Sequence, residues 1–225
     1  MNRYSKIAYF SILALISLSQ FLQGNYMLAT LLTFITGVAI PFYERREAKR
    51  QFYLALRKLY VCVDLDAFIK ERERLAMHAL YKSACKTPLK LLTIIEAYYN
   101  GNRESLVSEL LQLPQNTDYQ FWIDCYIGLC EAERIEPTVL RQHLNRVPRY
   151  YREIALQRID VLELKRKLHD DKEGDTSEIE ALREHVTFNL FVAELTHLLM
   201  VRAQNERIRN YYQKAVLNLS KGLTL

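Results

Sequence analysis

Few residues in this 225-residue chain stand at spacings that could do chemistry, and Glu194-Leu-Thr-His197 comes first among them. A carboxylate and an imidazole three residues apart project from one helix face, the arrangement by which four-helix bundles hold paired metal ions. Such a centre needs a second Glu-x-x-His and two further carboxylates. The sequence holds no second copy, so Glu194 and His197 are read as a hydrogen-bonded core pair. His169 beside Asp170 and Asp171 is another carboxylate–imidazole cluster, but it opens the hydrophilic stretch His169–Ser177 and reads as a solvated turn. Cys62, Cys85, Cys125 and Cys130 form no C-x-x-C pair and no activating motif with histidine. There is no Gly-x-Ser-x-Gly, and no two of the six glycines lie close enough to build a phosphate-binding loop. No catalytic residue, cofactor or metal is therefore expected, and the chain reads as non-enzymatic.

The charge pattern is more informative. Arg141, Arg146, Arg149, Arg152, Arg158, Lys165, Arg166 and Lys167 crowd one stretch against Glu153, Asp160 and Glu163, with Tyr150 and Tyr151 among them. Guanidinium forks interleaved with aromatic faces suit an acidic segment of a protein partner, or less well RNA. Arg141, Arg149, Tyr150, Tyr151, Arg152 and Arg158 are the candidate contacts. The competing reading is a solvated helix face. A second cluster, Arg45, Arg46, Lys49 and Arg50, accounts for much of the net charge of +5. Beyond Leu59 acidic and basic side chains nearly cancel, which argues against a nucleic-acid footprint.

The elements that must carry these residues read as helices throughout. Phe52, Leu56, Leu59 and Val63 form an amphipathic stripe over 44–63, read as a basic juxtamembrane helix acting as a stalk. Asp64 stands as an N-cap for a helix from Leu65 to about Cys85, and Thr87-Pro88 reads as a restart ended by Asn100-Gly101-Asn102. A helix over Arg149–Leu168 follows, then a long one over Glu178–Ala203 and an amphipathic one over Asn205–Leu219.

Within that array the chain repeats itself. Arg103–Pro114 and Pro137–Pro148 align at an offset of thirty-four, pairing Leu106 with Leu140, Leu110 with Leu144, Leu113 with Val147 and Pro114 with Pro148. The preceding helices align at thirty-five, Leu92 with Ile127 and Glu96-Ala97 with Glu131-Ala132. Over Pro88–Pro148 this resembles the tetratricopeptide repeat, and Asn189–Gly222 extends the likeness. The family's Trp…Leu-Gly…Tyr pattern is not reproduced in register, and Glu109 and His143 stand where the family has a small alanine. The resemblance implies a stacked superhelix whose concave face grips a peptide or protein. An unrelated α-helical array has the same spacing open to it.

Everything after Glu44 is expected to hang from the first forty-three residues. Ile7–Leu22 and Tyr26–Tyr43 are apolar runs separated by Gln23, Gly24 and Asn25, with no Asp, Glu, Lys or Arg inside them. Their lengths approach the roughly 20 residues that span a bilayer. Arg3 and Lys6 before, and Arg45 to Arg50 after, place both termini on the cytoplasmic side. The basic collar then faces anionic headgroups. A secretory signal cleaved at Ser17-Leu18-Ser19 is the competing reading of the first run. The fold class is thus all-α, comprising a transmembrane hairpin over 1–43 and a cytoplasmic tetratricopeptide-like domain over 64–225. The function expected is that of an adaptor or scaffold holding a protein partner at the membrane. A subunit of a transport or envelope-assembly complex, packing through Ser11, Ser17, Ser19, Thr30, Thr33, Thr36 and Gly37, is the alternative.

Overall fold

The computed structural model describes residues 3–78, 82–170, 176–220 and 223–225. Among these every regular element is helical, so the all-α class stands. Two antiparallel helices open the chain, α1 (Arg3–Leu22) and α2 (Tyr26–Tyr60). Gly24 at φ +81° makes the turn between them. Its N–H reaches the carbonyl of Phe21 and that of Asn25 reaches Gln20, closing α1 in a Schellman motif that favours glycine at the left-handed position. Ser17 Oγ donates to the carbonyl of Ala29 at 2.9 Å and meets Thr33 Oγ1 at 2.8 Å, tying the pair together. Their outward faces leave Ile12, Leu15, Leu31, Phe34 and Ile35 exposed. By length and composition α2 can cross a membrane, whereas the apolar part of α1, Ile7–Leu22, is shorter.

The expected stalk over 44–63 is not free-standing. α2 runs unbroken from the turn into the domain, where Phe52, Tyr53, Leu56, Leu59 and Tyr60 are fully buried. Around this half pack α3 (Leu65–His78), α4 (Lys82–Tyr99) and α10 (Asn189–Arg202). Asp64 caps α3 as its position suggests, accepting the N–H of Ala67 on Oδ1 at 2.8 Å. α4 is described from Lys82, so Pro88 lies inside it instead of starting it. Gly101 at φ +80° ends α4 in a second Schellman turn.

Two helix pairs follow: α4 with α5 (Leu106–Leu111), then α6 (Gln120–Cys130) with α7 (Pro137–His143). Of the aligned positions, Leu106 and Leu140, Leu113 and Val147, and Leu92 and Ile127 are all buried, whereas Leu110 is buried and Leu144 only half-buried. His143, at the small-residue position, bonds through Nδ1 to Asp124 Oδ2 of α6 at 2.8 Å. Two 3₁₀ turns, Leu144–Arg146 and Arg149–Tyr151, lead into α8 (Arg152–Asp170). The expected single helix over Glu178–Ala203 is two, α9 (Ser177–His185) and α10. Val186 and Phe188 are extended, and Gln157 holds the break by accepting the N–H of Thr187 at 3.0 Å and donating to its Oγ1 at 2.9 Å. α11 (Glu206–Ser220) closes the array against α10. The turn at Asp171 and Gly174, like Gly222, lies outside the described residues.

Candidate functional site

The basic run of 141–167 does not converge on one face. Arg141 donates to Glu163 Oε1 at 2.7 Å and lies 3.7 Å from Asp160. Arg146 donates to the carbonyl of Thr117, Arg152 to that of Val147, and Lys167 pairs with Glu178. Tyr151 turns inward, its ring 4.7 Å from that of Tyr53. Arg158 is withdrawn from solvent altogether, which removes it from any partner surface. Arg149 and Tyr150 stay open, Tyr150 being 96% exposed. A helix distributes successive charges around its axis, and here neighbouring acids and carbonyls take up Arg141, Arg146, Arg152 and Lys167.

Arg158 belongs instead to a buried network. Its Nη1 donates to Glu194 Oε2 at 2.7 Å and its Nη2 to Glu194 Oε1 at 2.8 Å. Nη2 also donates to Tyr99 Oη at 2.9 Å, and that hydroxyl in turn donates to Glu194 Oε1 at 3.1 Å. The guanidinium lies over the rings of Phe191 and Tyr60, 4.6 and 5.1 Å from their centroids. Lys165 adds a third cationic donor to Glu194 at 3.1 Å. Burial alone pushes the Glu194 carboxyl up. The Arg158 and Lys165 charges overcome it and hold the group down to about 2. Bidentate geometry and a full set of acceptor bonds are what make a buried ion pair tolerable.

Glu194 is therefore engaged by Arg158 and not by His197, which corrects the expected pair. His197 is half-buried, and burial followed by the charges of Lys165 and Arg103 lowers its pKa. Among the described residues no three His, Cys, Asp or Glu side chains gather as a metal site would require. A signal for the Arg158–Glu194 pair was available. Each is a charge inside an apolar run, Ile154-Ala155 to Ile159 and Leu190 to Leu199, and two isolated buried charges of opposite sign need one another.

The surface nearest this network carries a cleft. Two connected hollows of about 900 and 430 Å³ share Leu129, Cys130, Glu131 and Arg134 at the end of α6. Lys165 and Arg202, from α8 and α10, line the larger, and Arg103, after α4, lines the smaller. Arg134 pairs with Glu131 at 2.8 Å, and Arg103 stacks over Tyr98 at 4.7 Å. The Cys130 thiol is pushed up to about 11 by burial, so it is a packing group and a poor nucleophile at neutral pH. The cleft gathers Arg103, Arg134, Lys165 and Arg202 beside Glu131 and Glu133 on a partly apolar floor, with Lys165 also bonded to Glu194 and Arg202 to the carbonyl of Leu168. Its residues come from separate helices and loops, and no spacing in the sequence joins them.

The collar also divides. Arg45 and Arg46 are exposed, Lys49 pairs with Asp118 at 3.2 Å, and Arg50 pairs with Glu47 at 2.7 Å. No protein-family model, no curated protein and no solved structure matches this chain.

Proposed function

We propose that this chain is a non-enzymatic, membrane-anchored adaptor. α1 and the first half of α2 form a hairpin in the bilayer with both ends cytoplasmic, and the helical domain grips an acidic segment of a protein partner in its cleft. One observation carries the reading: a single unbroken helix has an exposed apolar first half and a buried second half. Exposed apolar surface of that extent is stable in lipid and not in water. The α4–α5 and α6–α7 pairs are read as two tetratricopeptide-like units, supported by the shared burial of Leu106 and Leu140, Leu113 and Val147, and Leu92 and Ile127. The cleft residues Arg103, Arg134, Lys165 and Arg202 replace 141–158 as the partner surface, because they line one concavity. Anchoring works by effective concentration, confining the cleft to the plane in which the partner acts.

A second reading, an auxiliary subunit of a transport or envelope-assembly complex, is favoured by a hollow of about 810 Å³ along the hairpin. Ser17, Thr33 and Gly37 line it and suit close approach of another helix. Photo-reactive residues at 103 and 134, with 30 and 37 in parallel, separate the two in living cells. Capture of one protein from both cleft positions, lost on Arg202→Glu, is the expected result. Capture from 30 and 37 alone overturns the adaptor in favour of the subunit.

A further inference from the structure

The direction of α8 relative to α2 gives the open pair Arg149 and Tyr150 a place. Tyr151 meets Tyr53, and seven residues further along both helices Arg158 meets Tyr60. The two helices therefore run in the same direction, bridged by these long side chains. The far ends agree: Gln157 holds Thr187, and Asn189 Nδ2 donates to the carbonyl of Val61 at the end of α2. Thus α8 descends away from the hairpin, and the 3₁₀ turn Arg149–Tyr151 before it points back towards the hairpin. The turn at Thr117 lies at the same level, since Arg146 donates to Thr117 O while neighbouring Asp118 pairs with Lys49.

Distances along α2 make this quantitative. With the hydrocarbon ending near Tyr43, Arg149 stands level with Gln51, about 12 Å further on at 1.5 Å per residue. The headgroup layer covers the first roughly 5 to 7 Å of that interval. About 5 Å remains, less than an extended arginine or tyrosine side chain, and side chains at a helix start lean towards its N-terminus. Arg45 and Arg46 already lie within the layer, two and three residues beyond Tyr43 on the sequence.

We propose that Arg149 and Tyr150, together with Arg45 and Arg46, form a bilayer-docking rim that seats the domain on anionic headgroups and leaves the cleft facing away. The inference rests on the anchored reading above. Tyrosine suits the site because its ring sits at the headgroup level while its hydroxyl stays wet. The three arginines supply the charge complement. A docked rim fixes the tilt of the domain, which a hairpin alone leaves free. Lys165, on the same helix fourteen residues beyond Tyr151, then lies on the far side.

The test uses the full chain in nanodiscs, either of phosphatidylcholine or of phosphatidylcholine mixed equally with phosphatidylglycerol. Benzoylphenylalanine replaces Tyr150, Phe34 or Asp66 in turn. Phe34 reports the hairpin, and Asp66, exposed at the start of α3, reports the far end of α2. Lipid adducts are expected from 34 in both discs and from 150 chiefly in the anionic disc, with none from 66. Arg149→Glu should lower capture at 150 by at least about fivefold, the loss of one cation near an anionic surface. Capture at 34 with none at 150 overturns the rim and leaves the anchor intact. Equal capture at 150 in both discs overturns the headgroup assignment. No capture at 34 overturns the anchored reading itself, and the rim with it.

Discussion

Residues 26–43 and 44–60 belong to one helix, yet their large apolar side chains have opposite fates. Leu31, Phe34 and Ile35 face outward, whereas Phe52, Leu56 and Leu59 are sealed beneath α3, α4 and α10. The apolar side chains themselves are of the same kinds in both. What separates them is the partner surface: the first half has only α1 beside it, so most of its circumference must be met by something outside the chain. The second half can even have a charge nearby, because Arg158 above Tyr60 is answered by Glu194. The first half carries no charge at all from Tyr26 to Tyr43.

The sharpest way to break this contrast is to leave the charge unanswered. Arg158→Ala strands Glu194 with Lys165 alone and should cost about 3 to 5 kcal/mol, the usual loss when one partner of a buried pair is removed. The double change Arg158→Met with Glu194→Leu should recover most of that loss. Urea unfolding of the full chain in detergent, read by the fluorescence of Trp122 in the core, measures both. A double variant as unstable as the single one would mean that packing, not charge, holds this site.

Matched truncations in the two halves come next. Leu56→Ala should cost about 2 to 5 kcal/mol by transfer and cavity terms. Leu31→Ala should leave the same unfolding curve within about 0.5 kcal/mol, as for a surface position. Leu31→Arg instead should impair membrane insertion, with about 2.5 to 3.5 kcal/mol opposing it, as seen by loss of the protein from the alkali-resistant membrane fraction. If Leu31→Ala proved as costly as Leu56→Ala, the hairpin would be part of a protein core.

Acid provides a graded probe of the core half. Glu194 at about 2 lies below its usual 4.5, so its contribution is complete above pH 4.5 and is lost as pH falls from there towards 2. His197, also lowered, favours folding while neutral, so its contribution begins to fall earlier, as pH drops below 6.5. Thermal unfolding should therefore weaken in two windows, and His197→Asn should flatten the upper one. A single window near pH 4.5 in that variant and in the parent alike would show that His197 titrates the same folded and unfolded.

The sequence carried the helices, their stripes and the thirty-four-residue alignment, because periodicity reflects which face is buried. It did not carry how fully α2 is enclosed beyond Glu44, since the stripe marks one packing face while Phe52, Tyr53, Leu56 and Tyr60 are all sealed. The break between α9 and α10 depends on Gln157, which holds Thr187 from thirty residues away. The basic run misled for a related reason. Spacing shows which charges share a helix, but only the neighbours Glu163, Val147 and Glu194 decide which of them remain open. The cleft, assembled from separate helices and loops, had no linear signal at all.

At the junction of the two halves the smallest effect is expected. Lys49 and Asp118 pair at 3.2 Å with side chains 29% and 61% exposed, so solvent screens most of their attraction. Asp118→Asn should cost about 0 to 1 kcal/mol, with a melting shift of no more than about 4 °C for a domain of this size. Added salt should erase the difference between variant and parent. A larger, salt-insensitive loss would mean that this pair clamps the loop before α6 onto α2. Rigidity at the junction would then come from the clamp, whereas an unbroken helix with Phe52 buried three residues further on already accounts for it.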